Sequence, residues 1–287
     1  MRRPPAGSHA QMVGKVKMLS SLSKLLGIDP EKGIGNIMAL RWYFSDLRTL
    51  KRQQALSKAK FDFGKLYPCL EDKRAEGGTA KGHYFHQDLL VARRIHQRNP
   101  GRHVDIGSRV DGLVSHLAAF RRVVVMDIRY VSSTIPNIEF IQADLMTHPP
   151  PSLLGQFDSL SCLHALEHFG LGRYGDPINF DGYLVGLTNM SALLRPGGKL
   201  YLSVPVGPQR IEFNAHRVFA IDYLLECLRA EFQIDDFSYV DDDGDLHESA
   251  HLSATDVQAN FGCNYGCGIF EATKRPTAGL DWPRCSS

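Results

Sequence analysis

The chain has 287 residues, 43% of them hydrophobic and 22% charged, with a formal net charge of +2. That length holds one large domain or two small ones, with ample material for a core. The near balance of charge argues against a general nucleic-acid binder, and no apolar run approaches the ~20 residues of a membrane span.

Residues 1–28 carry Arg2, Arg3, Lys15, Lys17 and Lys24 and no acid. Val16, Leu19, Leu22 and Leu26 fall three or four apart, the spacing of a short basic amphipathic helix. Two readings stay open for it: peripheral contact with an anionic membrane or organelle targeting, or a basic extension packed on the domain. No apolar core beside a small-residue cleavage site marks a signal peptide. The six cysteines form no C-x-x-C pair, so reduced thiols and a cytoplasmic location are expected. Cys263 and Cys267 read either as a redox pair or as loop thiols. Residues 1–80 show helical pieces and loops, an extension or cap. The expected division is 1–80, a main domain over 81–278, and a tail over 279–287.

Residues 82–99 predict a helix leading into a sheet. Five short apolar runs follow, HVDIG (103–107), RRVVVMDIR (121–129), IEFIQADL (138–145), FDSLSCLH (157–164) and GGKLYLSVPVG (198–207). With helical stretches between them, they argue for a parallel sheet covered on both faces. Residues 182–194 supply an amphipathic helix that stops at Arg195-Pro196-Gly197-Gly198. FQIDDFSYVDD (232–242) and CGIFEATKR (267–275) predict a closing antiparallel pair.

Open sheets of this kind bind ligands outside the carboxyl ends of their strands. Asp105, Gly107 and Ser108 fall there after the first strand, Asp127 after the second, and Asp144 with Leu145 after the third. Asp127 follows Gly107 by twenty residues, the separation of a carboxylate that grips ribose hydroxyls. Neither G-x-x-x-x-G-K-[ST] nor G-x-G-x-x-G occurs, which counts against nucleoside triphosphates and NAD. In GLGRYGDP (170–177), two glycines beside Arg173 and Tyr174 suit either an acceptor loop in which Arg173 holds an anionic group, or a structural turn. DDDGD (241–245) reads as a solvated hairpin tip.

VDIGS, MDIR, QADL, FDSLSCLHALEH and LLRPGGKLYLSVP, in that order, resemble the successive motifs of class I S-adenosylmethionine-dependent methyltransferases over about residues 82–275. GHYFHQDLL, HVDIGSRVDG, SCLHALEHFGLGRYGDPI and FNAHRVF also resemble an uncharacterised methyltransferase-like family of bacteria and nematodes. The resemblance implies an α/β, Rossmann-like seven-stranded methyltransferase sheet, mostly parallel with an antiparallel last strand, behind an N-terminal helical extension. It implies S-adenosylmethionine held by Asp105, Gly107, Ser108, Asp127, Asp144, Leu145 and Leu163. One departure is visible: Arg109 and Asp111 stand where such enzymes carry later glycines.

The resemblance also places Leu166-Glu167-His168 at the start of a helix after strand four. Small-RNA terminal 2′-O-methyltransferases and ubiquinone-pathway O-methyltransferases show Glu-x-x-Glu-His here with a distant His, four side chains that hold a divalent metal. This chain has His164-x-x-Glu167-His168 and His216. By that similarity the four would bind Zn²⁺, Mn²⁺ or Fe²⁺. The expected activity is O-methylation of a small molecule or glycan hydroxyl, with His164, His168 and Arg173 as catalytic candidates. A non-catalytic donor- or nucleotide-binding module and an RNA 2′-O-methyltransferase are the alternatives.

Overall fold

The computed structural model describes residues 30–276 except 60, 76, 79 and 133. The basic segment 1–28 and the tail 279–287 lie outside the described residues. The chain divides into two compact units, with the boundary between residues 79 and 80. Among the described residues, no helix is long and apolar enough to cross a membrane.

In the first unit, helix α1 spans Pro30–Leu56 and a 3₁₀ turn spans Asp72–Arg74. Lys73 joins them, 2.7 Å from the Asp46 carboxylate and over the Trp42 ring.

The second unit is built on an eight-stranded sheet. Helix α2 (His83–Arg98) precedes β1 (His103–Ile106). A π turn over Val110–Val114 runs into the short helix α3 (Ser115–Ala118), followed by β2 (Val123–Asp127), β3 (Ile138–Gln142) and β4 (Phe157–Leu163). Helix α4 (Gly182–Leu193) and β5 (Leu194–Val206) come next. A hairpin of β6 (Arg210–Glu212) and β7 (His216–Val218) leads to α5 (Ile221–Arg229) and β8 (Phe232–Val240). Then come β9 (Leu246–His247), α6 (Ala254–Gln258) and β10 (Gly266–Lys274).

The strand order is β3-β2-β1-β4-β5-β10-β8-β9. β1 to β5 pair in parallel, and β10 runs antiparallel to both β5 and β8. This is the expected mostly parallel Rossmann-like sheet, with two-residue β9 added as an eighth strand beside β8. The separate β6–β7 hairpin was not expected either: its strands are three residues each and largely polar, too short to show a period.

Alternation along the strands splits the core between the two faces. Val104, Ile106, Val124, Met126, Leu200 and Leu202 pack in one cluster with Leu187, Met190 and Leu224 from α4 and α5. Val123, Val125, Leu163 and Tyr201 pack on the other with Leu90, Val91 and Ile95 of α2 and Leu117 of α3. Strands buried on both faces need apolar residues throughout, which is why they read as continuous runs.

Candidate active site

Strand order reverses between β1 and β4, the switch point where α/β sheets hold ligands. A cavity of about 490 Å³ opens there, within the range that encloses a cofactor-sized molecule. Gly107, Asp127, Asp144 and Leu145 line one part, and His164, Glu167, His168, Arg173 and His216 another. Arg109 and Tyr174 line it as well, and so do Tyr84, Arg129 and Tyr265, which sequence reading did not single out.

Three expected donor-binding residues do not reach the cavity lining. Asp105 is fully buried; it accepts hydrogen bonds from the Ser108 amide (3.1 Å), the Ser108 hydroxyl (2.7 Å) and the Ser161 hydroxyl (2.5 Å). Ser108 Oγ in turn accepts from the Leu163 amide at 3.1 Å. His103 extends this buried chain, with Nδ1 2.7 Å from Ser159 Oγ and Nε2 3.0 Å from Ser161 Oγ. Burial pushes the Asp105 carboxyl up to about 6 and the His103 imidazole down to about 3. Asp105, Ser108 and Leu163 therefore shape the loop after β1 from behind, since a carboxylate surrounded by protein donors has no face left for a ligand.

Gly107 does face the cavity. Its φ of +66° suits glycine, and a Cβ there would stand 3.0 Å from the Cβ of Ala165. Arg109 and Asp111, in place of the later glycines, pair with each other through Nε–Oδ1 (3.0 Å) and Nη2–Oδ2 (2.7 Å). Gly112 is retained where a Cβ would lie 2.3 Å from Asp88 Oδ2. The loop thus keeps glycine where the backbone needs it, at 107 and 112, and carries an exposed ion pair at 109 and 111.

At the end of β2, Asp127 accepts from the Arg129 amide (2.8 Å), Nε (3.0 Å) and Nη2 (2.8 Å). The Arg129 guanidinium also lies 4.4 Å over the Tyr174 ring. Beyond β3, buried Asn189 donates to the carbonyls of Leu145 (2.8 Å) and Thr147 (3.0 Å), fixing the backbone that carries Asp144 and Leu145 into the cavity.

After β4 no long helix forms. His164 adopts φ +51°, and Leu166–His168 make a single 3₁₀ turn before Gly170, Gly172 and Gly175, all at positive φ. The three chemical side chains of HALEH meet all the same. His164 Nδ1 lies 2.7 Å from Glu167 Oε1, and His168 Nε2 lies 3.7 Å from the same oxygen. His168 Nδ1 donates to the Ala215 carbonyl at 2.7 Å, which leaves Nε2 as the lone-pair nitrogen of the neutral ring. Burial lowers the His168 pKa. Burial opposes charge on His164 too, but Cys267 and Glu167 outweigh it and hold His164 well above the usual histidine range. Burial acts upward on Glu167, and the contact with His164 carries its carboxyl below the ordinary value.

The metal set read from the sequence is not assembled. His164, Glu167, His168 and His216 share the cavity, but His216 Nε2 faces Glu212 Oε2 at 3.2 Å. Among the described residues, the three-ligand cluster is a different one, formed by His83, His164 and Cys267. The physical reason lies in the hairpin, where Glu212 pairs with His216 across β6–β7.

The loop after HALEH is ordered by Asp176. Its Oδ2 accepts from the amides of Gly170 (2.8 Å) and Gly172 (3.0 Å), and its Oδ1 from that of Tyr174 (3.1 Å). Buried Arg217 ties the loop to β7 by donating to the carbonyls of Phe169 (2.6 Å) and Phe180 (2.9 Å). Arg173 Nη1 donates to Ala215 O at 3.0 Å. At the β8–β9 turn, Asp242 caps the amides of Asn264 (2.9 Å) and Tyr265 (2.9 Å), so part of the acidic run is structural. Cys263 and Cys267 are free thiols.

A family model described as "Caenorhabditis protein of unknown function, DUF268" matches residues 126–259, just under half of the chain. No curated protein matches it. Solved structures similar to it include the Burkholderia thailandensis 1,6-didemethyltoxoflavin-N1-methyltransferase, crystallised with 1,6-didemethyltoxoflavin and S-adenosylhomocysteine. That protein is 18% identical, with 66% of this chain and 79% of that one covered and a TM-score of 0.45. A putative methyltransferase of Haloferax volcanii, in complex with the activator Trm112, is 14% identical over 69% of this chain and 92% of that one, with a TM-score of 0.48. The [4+2]-cyclase SpnF is 17% identical over 84% and 96%, with a TM-score of 0.47.

Proposed function

We propose that the chain is an S-adenosylmethionine-dependent O-methyltransferase acting on a hydroxyl of a small molecule or sugar. The observation that carries this reading is the cavity itself. Gly107, Asp127 and Asp144 line it at three successive strand ends, and the same cavity continues to His168 and Glu167. The donor adenosyl group belongs over Gly107, with its ribose at Asp127 and its adenine near Asp144 and Leu145.

Methyl transfer requires acceptor oxygen, methyl carbon and sulfonium sulfur in line. The oxygen–carbon bond forms as the carbon–sulfur bond breaks, S-adenosylhomocysteine leaves, and the acceptor proton goes to a base. His168 suits that role: its Nδ1 proton is pinned on Ala215 O, and its Nε2 is the available base. The nearby Glu167 carboxylate steadies the imidazolium that results. Glu167 Oε2 is buried without a partner, and a polar acceptor would satisfy it. Arg173, at the rim, suits an anionic group on the acceptor. The sequence-read metal set takes no part in this step, since His216 Nε2 lies 3.2 Å from Glu212 Oε2 and the three-ligand cluster among the described residues does not include His216.

The test is release of S-adenosylhomocysteine on incubation with a panel of sugars and other polyols. His168→Gln should abolish release while leaving donor affinity within a factor of about 2, since it touches only the acceptor side. Loss of donor binding in that variant, or full turnover, removes His168 from the role.

A nucleotide-binding module without catalysis is the second reading, and one observation favours it. Arg129 already occupies Asp127, as it would beside a ligand that carries an anionic group.

A further inference from the structure

His83 at the start of α2, His164 after β4 and Cys267 on β10 come from three distant parts of the chain. Their ligand atoms lie within 4.8 Å of one another. The imidazoles of His83 and His164 are stacked, 5.2 Å between centroids and 9° apart in plane. We infer that these three side chains form a binding site for a Zn²⁺-class cation, distinct from the set suggested by the HALEH spacing.

The second observation is an orphaned nitrogen. The His164 side chain is only 4% exposed, and its Nε2 is buried with no hydrogen-bond partner. Its Nδ1 is engaged by Glu167 at 2.7 Å. Carboxylate on one ring nitrogen and metal on the other is the arrangement that orients histidine ligands in zinc sites. Cys267 is fully buried, and its thiol donates to Gln87 Oε1 at 3.5 Å. Two imidazoles and a thiolate select Zn²⁺ over Mg²⁺ or Ca²⁺.

Bonds of about 2.0–2.3 Å in a tetrahedron place ligand atoms roughly 3.3–3.8 Å apart. The side chains therefore draw in by no more than about 1.5 Å, and His83 sits at the first position of its helix. Ion binding displaces to solvent the thiol proton of Cys267 and, from the charged form of His164, its Nε2 proton; Gln87 Oε1 loses the thiol contact and keeps the hydrogen bond from Ser203 Oγ at 2.6 Å. Three protein ligands leave a fourth position open. His164 also lines the methyl-transfer cavity, so an ion here would stand at its wall and offer that position to the acceptor.

The inference does not depend on the donor, and its test reads metal alone. Purified full-length chain is titrated with Co²⁺ and Zn²⁺ in the absence of S-adenosylmethionine. One ion per chain is expected, with the charge-transfer absorption of a Co²⁺–thiolate bond and the visible bands of a four-coordinate ion. Cys267→Ser should remove the charge-transfer band, and His83→Ala should weaken binding at least tenfold. His216→Ala should bind as the parent does. The partly exposed His83 keeps the test decisive if the buried Cys267 variant does not fold. Failure of the parent chain to bind either ion overturns the inference. So does binding that survives Cys267→Ser and His83→Ala but is lost in His216→Ala, which would restore the set read from the sequence. Donor binding measured on the same sample reports separately on the methyltransferase reading.

Discussion

Asp127 and Arg129 give opposite expectations for donor binding, and the sign separates two kinds of ligand. The Asp127 side chain is 11% exposed, whereas that of Arg129 is 53% exposed. A ribose diol on a largely buried carboxylate gains charge-assisted hydrogen bonds, so Asp127→Ala should weaken S-adenosylmethionine by about 1–3 kcal/mol, roughly 5- to 150-fold. The guanidinium competes for the same oxygens, but more than half of it is in water, where such a pair contributes only about 0.2–1 kcal/mol. Arg129→Ala should therefore tighten donor binding, by no more than about fivefold. Isothermal calorimetry at fixed ionic strength reads both variants directly. If Arg129→Ala weakens binding as much as Asp127→Ala does, the pair acts as one unit toward an anionic ligand, and the ribose assignment is refuted.

The buried polar chain behind the site makes a pH prediction. The Asp105 carboxyl rises from 3.8 to about 6 on folding, so between those values the folded state holds a proton that the unfolded state has lost. Stability must fall as pH rises through that window, by up to about 3 kcal/mol, and stay level above it. Asp105→Asn lacks this term, so its gain in urea midpoint over the parent should grow from pH 4 to 6 and then stop; a difference independent of pH contradicts the burial argument. Gly170 has φ +77°, and a Cβ there would come within 1.9 Å of the Asn179 carbonyl oxygen. Gly170→Ala should lower stability by about 1–3 kcal/mol and raise the acceptor KM more than it changes donor affinity; an unperturbed melting curve would show that the loop relaxes freely.

Much of the fold was legible because parallel strands buried on both faces must be apolar along their length. β1 to β5 each overlap an apolar run, and the Pro-Gly-Gly stop after α4 is visible as well. Two of the acids were legible as cavity residues through position alone: Asp127 ends β2, Asp144 follows β3, and both line the cavity. Asp105 ends a strand too, yet three donors from Ser108 and Ser161 enclose it. Ser108 lies three positions on, but the donor that completes the enclosure, Ser161, lies 56 positions away, beyond any local pattern. HALEH misled in the same way. The resemblance placed it at the start of a helix, but the glycines that follow stop a helix and His164 turns left-handed, so Leu166–His168 make a single 3₁₀ turn. His83 and Cys267 reach His164 only through the folding of α2 and β10 around the sheet, and sequence spacing carries no trace of that meeting.

Calorimetry of the full chain with S-adenosylmethionine, S-adenosylhomocysteine and NAD addresses the central claim most directly. The account predicts one site per chain for the first two ligands, weakened together by Asp127→Ala, and no binding of NAD. Binding of NAD with neither sulfur compound bound would contradict it.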